Sequence, residues 1–167
     1  AWIVCWEHNW PGVPKRLQVK ELRRHFGLGF NVWILPVRKK YQNLLKDRVV
    51  EWWSLPSRAS KDDILLFYYT HPDTCIKNVF RLGGEVRPSK RWKFIGGPIH
   101  KIADLEAPIF FKDMRRDRIL STAGFVRAQI RGRRNATEYW PYLYEKIVGR
   151  NPSIKRKLAK YAPERLA

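Results

Sequence analysis

The sequence predicts an α+β protein, a strongly curved mixed β-sheet or small open barrel with flanking helices. Three observations lead there. Runs of β-branched and aromatic residues dominate the middle of the chain, and stretches with helical spacing fall near its start and at its end. A length of 167 residues with 44% hydrophobic content supplies one sizeable core but hardly two. Residues 1–167 are therefore expected to form a single domain.

The elements follow in order. Trp2-Ile3-Val4-Cys5-Trp6 is a compact β-type run, broken by the turn Glu7-His8-Asn9-Trp10-Pro11-Gly12. Leu17, Glu21, Leu22 and Phe26 recur at helical spacing, and Gly27 and Gly29 stop that helix. A second strand is expected over residues 31–35 with Pro36 ending it, then a short helix through Tyr41, Leu44 and Leu45. Residues 64–70 are apolar throughout, as in a strand buried on both faces at the centre of a sheet. Residues 75–86 read as its neighbour across the turn His71-Pro72-Asp73, with a bulge or bend at Gly83-Gly84. Further strands are expected over 94–102 and 109–111.

Towards the C-terminus the character changes. Residues 137–148 have helix-forming aromatic spacing, with Pro141 in the first turn and Gly149 at the end. Asn151 as N-cap and Pro152 at the first helical position predict another helix, which Pro163 keeps from continuing beyond Tyr161. Its Lys155, Arg156, Lys157 and Lys160 either contact phosphate or lead towards a linker, and the linker is favoured. Residues 131–167 are thus expected to be a basic helical extension of a core over 1–130, leading to a further domain.

Charge is the strongest compositional signal. Lys and Arg number 34 against 15 Asp and Glu, a net +19, and self-repulsion on that scale implies a polyanionic partner. The excess falls in blocks. Between Glu85 and Asp104 lie Arg87, Lys90, Arg91, Lys93 and Lys101 with no acid among them; between Asp117 and Glu138 lie Arg118, Arg127, Arg131, Arg133 and Arg134. Lys90, Arg91, Lys93, Arg131, Arg133 and Arg134 are the phosphate-binding candidates.

Other classes are disfavoured. No stretch approaches the roughly 18 apolar residues of a membrane span, and Glu7 comes too early for a signal peptide, so a cytoplasmic protein with no membrane partner is expected. Cys5 and Cys75 lack a second ligand at zinc spacing and read as reduced core thiols; no metal is expected. Neither GxxxxGK[ST] nor GxGxxG occurs, and no cofactor is expected.

Eight tryptophans need a reason. Trp2, Trp6 and Trp140 are most simply core. Trp10, Trp33, Trp52, Trp53 and Trp92 lie beside Pro, Gly, Ser or basic clusters, where core and surface-platform roles stand even. Stacking a base on an aromatic face contributes roughly 1–3 kcal/mol. Two or three such walls offset the few kcal/mol needed to extrude a base from its stack.

Three segments resemble the methylated-base readers called YTH domains and the related EVE domains, both PUA-like. Phe30-Asn31-Val32-Trp33-Ile34-Leu35-Pro36-Val37-Arg38-Lys39-Lys40 is similar to the YTH segment in which a strand delivers one cage wall through a Val-Trp pair, with Trp33 at that tryptophan. Residues 64–68 and 79–82 resemble the paired central strands of both families. Pro88-Ser89-Lys90-Arg91-Trp92-Lys93-Phe94 stands where YTH domains carry a second cage tryptophan, matched by Trp92. The turn Glu7-His8-Asn9-Trp10 resembles the EVE turn that meets the base edge. The likeness makes Asn9 a base-edge contact, an amide that both donates and accepts, or else an Asn holding its own turn. Trp10 becomes a third wall.

The resemblance covers residues 1–130 and departs at Ile34-Leu35, where YTH domains have Ser and Thr, and at the insert 47–61. It implies non-catalytic recognition of a methylated base, N6-methyladenine favoured, flipped into an aromatic cage. A basic reader with a helical, charged tail also looks like the N-terminal recognition module of a methylation-dependent restriction factor of the McrB type. That likeness implies DNA rather than RNA as partner and a GTP-driven motor to follow. An RNA reader is the alternative. A metal-dependent nuclease is another, on Asp62-Asp63 with Glu85-Val86-Arg87, although Asp62-Asp63 reads more simply as a solvated turn.

Overall fold

The computed structural model describes residues 29–91 and 93–163. The expected Trp2–Trp6 strand, the polar turn after it and the helix through Phe26 lie outside the described residues. Within them run seven strands: β1 (Val32–Val37), β2 (Val49–Ser54), β3 (Ile64–Tyr69), β4 (Cys75–Leu82), β5 (Arg87–Pro88), β6 (Ile95–Phe110) and β7 (Arg134–Asn135). Three α-helices accompany them: α1 (Phe111–Arg116), α2 (Gly124–Arg127) and α3 (Trp140–Arg150).

The strands form one mixed sheet in the order β2-β6-β4-β3-β1-β7, with β5 hydrogen-bonded to β6. Only β1 and β3 run parallel among the paired strands described. The expected α+β fold with a curved mixed sheet is what forms, and the sheet stays open. Its curvature has a local cause. Register shifts interrupt the β2–β6, β3–β4 and β4–β6 ladders, and each such irregularity bends and twists the strand that carries it. As a result Trp53 on β2 packs edge-on against Phe67 on β3, with ring centroids 5.1 Å apart, although β6 and β4 lie between their strands.

Two apolar clusters line the two faces. Trp33, Leu35, Leu65, Phe67, Phe80, Leu82 and Ile99 fill the concave one, with Trp53 packed against it. The other carries Val32, Ile34, Ile64, Leu66, Ile76 and Val79, covered by Met114, Phe125, Trp140, Leu143 and Ile147. Strand β3, buried at all six positions, contributes to both, as its uniform apolarity predicts.

Several expectations are corrected. Pro36 lies inside β1, paired with Tyr68. Beyond Ile34 no β7 residue pairs with β1, so this part is an edge where a missing N–H costs nothing. The insert 47–61 holds β2, at one end of the strand order. The two strands expected over 94–102 and 109–111 are one strand of 16 residues, β6. The helix expected from Asn151 to Tyr161 is instead two short 3-10 turns, Pro152–Ile154 and Ala159–Tyr161. Asn151 makes no side-chain bond to the turn that follows it; its amide donates instead to Ile147 O at 3.0 Å, in the last turn of α3. The same buried amide also donates to Ala107 O at 3.0 Å and accepts from Ala107 N at 2.8 Å, clamping the end of α3 to β6. Nor is the described part of the C-terminal segment peripheral. Trp140, Leu143, Ile147, Ile154, Leu158 and Tyr161 belong to the same core cluster as β1 and β3, and the Trp140 indole donates to Tyr161 O at 2.7 Å.

Candidate nucleic-acid interface

One end of the sheet gathers segments distant in the chain. The starts of β1 and β3 and the ends of β2 and β4 meet there, because β1 and β3 run one way while β2 and β4 run the other.

Asp63 organises this end. Asp63 is 1% exposed. One oxygen accepts the backbone N–H of Asn31 at 2.8 Å; the other accepts the Trp33 indole N–H at 3.0 Å and the Ser60 backbone N–H at 2.9 Å. Three donors around one carboxylate replace the water that burial removes. The solvated turn expected at Asp62-Asp63 is therefore half right: Asp62 faces Arg81 at 3.4 Å, while Asp63 is an internal brace. Asp63 thus has its oxygens occupied by donors, and among the described residues no three His, Cys, Asp or Glu side chains come together as a metal-holding group.

Trp33 is set by this brace. It is 6% exposed, lies in the concave cluster and pairs through β1 with Asn135 of β7. Trp92, Trp10 and Asn9 lie outside the described residues. A second polar network holds the same strand start: the Thr137 hydroxyl accepts the Val32 N–H at 3.0 Å and lies 2.6 Å from Asn135 Oδ1.

The basic candidates flank this end on both sides. Lys90, Arg91 and Lys93 are exposed in the loop of the β5–β6 hairpin, closed by Ser89 N–H to Phe94 O at 3.2 Å. That hairpin abuts the end of β2, since Ser54 pairs with Gly96 and Leu55 N–H reaches Ile95 O at 2.9 Å. From the opposite edge of the sheet, the exposed Arg131, Arg133 and Arg134 approach the same place: Arg133 donates to Ser54 Oγ at 3.4 Å. Arg134 Nε donates to Arg131 O at 3.0 Å and so shapes this loop. Among the described residues, Lys90, Lys93, Arg131, Arg133 and Arg134 have no acidic partner.

Two features here escape a sequence reading. Phe94, expected to begin a strand, is 60% exposed beside the basic loop. Gly96 is squeezed between strands, where a Cβ would meet the Trp53 carbonyl oxygen and come within 2.6 Å of the Trp52 ring. The run Lys93-Phe94-Ile95-Gly96-Gly97 carries no pattern that distinguishes an exposed aromatic from a core one.

Comparison with solved structures finds this fold elsewhere. A protein from Rhodopseudomonas palustris, solved by NMR, matches with a TM-score of 0.60 over 74% of this chain and 94% of its own, at 12% identity. A hypothetical protein from Leishmania major matches with a TM-score of 0.59 over 74% and 98%, also at 12% identity. A protein from Agrobacterium tumefaciens, seen by X-ray crystallography, gives 0.55 over 70% and 90%, at 15% identity. At such identities the likeness concerns the fold alone. No family model matches the chain, and neither does any curated protein. No helix among the described residues is long and apolar enough to cross a membrane.

Proposed function

We propose that this protein binds nucleic acid at the end of the sheet braced by Asp63 and reads a methylated base there without catalysis. The observation that carries the reading is the meeting of two basic segments, some 40 residues apart in the chain, around Ser54. Exposed cations without acidic partners, gathered from opposite edges of a sheet, suit a phosphate backbone better than a generally solvated surface. Phe94, exposed among them, offers a base-stacking face.

In this reading Trp33 is the fixed back wall of the pocket, held by Asp63, and Trp92, Trp10 and Asn9 supply the remaining walls and the base-edge contact, as the YTH and EVE resemblance implies. DNA is favoured over RNA and N6-methyladenine over other modified bases, with recognition serving a modification-dependent restriction system; an RNA reader is the alternative.

The test is a binding panel of methylated and plain oligonucleotides in DNA and RNA backbones, near physiological salt, with Trp92→Ala and Trp33→Phe beside the parent chain. Preference for N6-methyladenine in DNA that Trp92→Ala removes, with binding to plain DNA retained, is the expected result. Equal affinity for methylated and plain strands removes the base pocket, and no binding to either backbone removes the nucleic-acid partner.

A further inference from the structure

A second basic feature lies on the helical layer. Phe111 and Arg115 of α1, Ser121, Val126 and Arg127 of α2, and Gln129 line a pocket of about 320 Å³, open to solvent on one side. Arg115 lies over the Phe111 ring, its guanidinium carbon 6.0 Å from the centroid, which places the charge at the pocket wall. Gln129 has φ +56°, and its Oε1 accepts from the Arg131 guanidinium at 3.4 Å, so its amide N–H groups remain available as donors. Ser121 Oγ has only a long donation to Arg118 O, at 3.4 Å, and is free to turn its proton.

No acid lines the pocket, and the acids closest to it in the chain are committed elsewhere. Asp113 is 2.8 Å from the Arg150 guanidinium. Asp117 lies 3.2 Å from Lys146 Nζ and accepts the N–H groups of Ile119 and Leu120 at 2.9 Å each. Arg115 and Arg127 therefore have no acidic partner among the described residues.

We propose that this pocket is a phosphate site, with the Arg115 and Arg127 guanidiniums as its charged arms and Ser121 and Gln129 as neutral donors. A guanidinium presents a planar fork of N–H donors that matches two phosphate oxygens, and two forks suit a group carrying one to two negative charges. The volume exceeds that of a lone phosphate, and the open side leaves room for a sugar on each side of it. Arg131 links the pocket rim at Gln129 to the basic loop that reaches Ser54. The source of the phosphate is accordingly a backbone diester of the bound strand; this part rests on the nucleic-acid reading above, whereas the pocket itself does not.

The experiment is an amide NMR titration of the full chain with inorganic phosphate and, separately, with a short unmodified DNA duplex, repeated on the Arg115→Gln, Arg127→Gln double variant. Both arginines are exposed, so the variant is expected to keep its thermal midpoint. Shifts at Ser121, Arg127 and Gln129 with both probes, absent in the variant, are expected, together with a salt slope of duplex binding reduced by about two. Shifts with phosphate but not with duplex, while the duplex still binds elsewhere on the chain, support the pocket and overturn the backbone as source. No shift at these amides with either probe overturns the site. Loss of all duplex binding with the phosphate response intact falls on the nucleic-acid reading alone.

Discussion

Trp33 donates its indole N–H to Asp63 across 3.0 Å, joining the start of β1 to the residue that precedes β3. The bond connects a large concave-face ring to a carboxylate that also holds the Asn31 and Ser60 backbones. Replacing Asp63 by Asn removes the charge and one acceptor while the three donors stay where they are. Leaving a buried donor unmatched costs about 1–3 kcal/mol, so Asp63→Asn is expected to lower stability in urea by that amount and Asp63→Ala by more. An unchanged urea midpoint would mean that water reaches these donors.

Trp33 demands two substitutions rather than one. At 6% exposure it is a packing residue whatever else it does, and Trp33→Ala is expected to cost about 3–5 kcal/mol. Trp33→Phe keeps a ring, loses the indole donor, and is expected to cost less. Its effect on base preference is interpretable only if circular dichroism shows the fold intact, and thermal melts of the two variants check the order.

Gly96→Ala is expected to destabilise by about 1–3 kcal/mol, in the range of overpacked sites. The new methyl meets the Trp53 carbonyl oxygen and the Trp52 ring, so β2 must move off β6. Hydrogen exchange resolves this from global loosening, because the effect should concentrate at residues 50–55.

Salt dependence separates the two basic segments from ordinary surface charge. Each lost phosphate contact lowers the slope of log K against log salt by roughly 0.9 on duplex DNA. Neutralising Arg131, Arg133 and Arg134 together is expected to flatten the slope, and so is neutralising Lys90, Arg91 and Lys93. A segment whose neutralisation leaves the slope unchanged lies outside the interface.

A pH effect belongs to Asp113. The hydrogen bond from Arg150 holds its carboxyl below the ordinary aspartate range, with further help from the charges of Arg150, Lys112 and Lys146. A depressed folded-state pKa contributes stability that is present above the unfolded value and lost as pH falls through the folded one. Arg150→Ala is therefore expected to lower the thermal midpoint near neutrality, with the difference shrinking below about pH 4. A constant difference across that window would assign the effect of Arg150 to packing.

Strands with uniform apolarity were legible from the chain. β3, β4 across the turn at His71-Pro72-Asp73, and the helix around Trp140 stand where periodicity and turn residues put them. What escaped depends on tertiary pairing. Pro36 is tolerated in β1 because β7 stops at Ile34, a fact about a strand 100 residues later. Residues 94–102 and 109–111 read as separate strands, yet 95–110 is one strand, paired with β2 and β4. Asp63 resembled any acid in a turn, since nothing local announces the donors that Asn31 and Trp33 bring to it. Of the site, the basic segments were readable as charge blocks, while their meeting at Ser54 follows from the sheet's curvature.

The Val32 N–H finds its acceptor on Thr137, 105 residues later. Loop closure over such a span is entropically demanding and topologies of this kind form slowly. During synthesis the β3–β4–β6 meander has its strand partners once Phe110 has emerged, but its helical cover and the β7 partner of β1 come only with the residues beyond. Until then the braced end of the sheet is unfinished, and a nascent chain stalled before Arg134 lacks the strand that pairs with Trp33 and Ile34. Ribosome-bound chains of increasing length should accordingly gain protease resistance in two steps, the second only after Thr137 has cleared the exit tunnel.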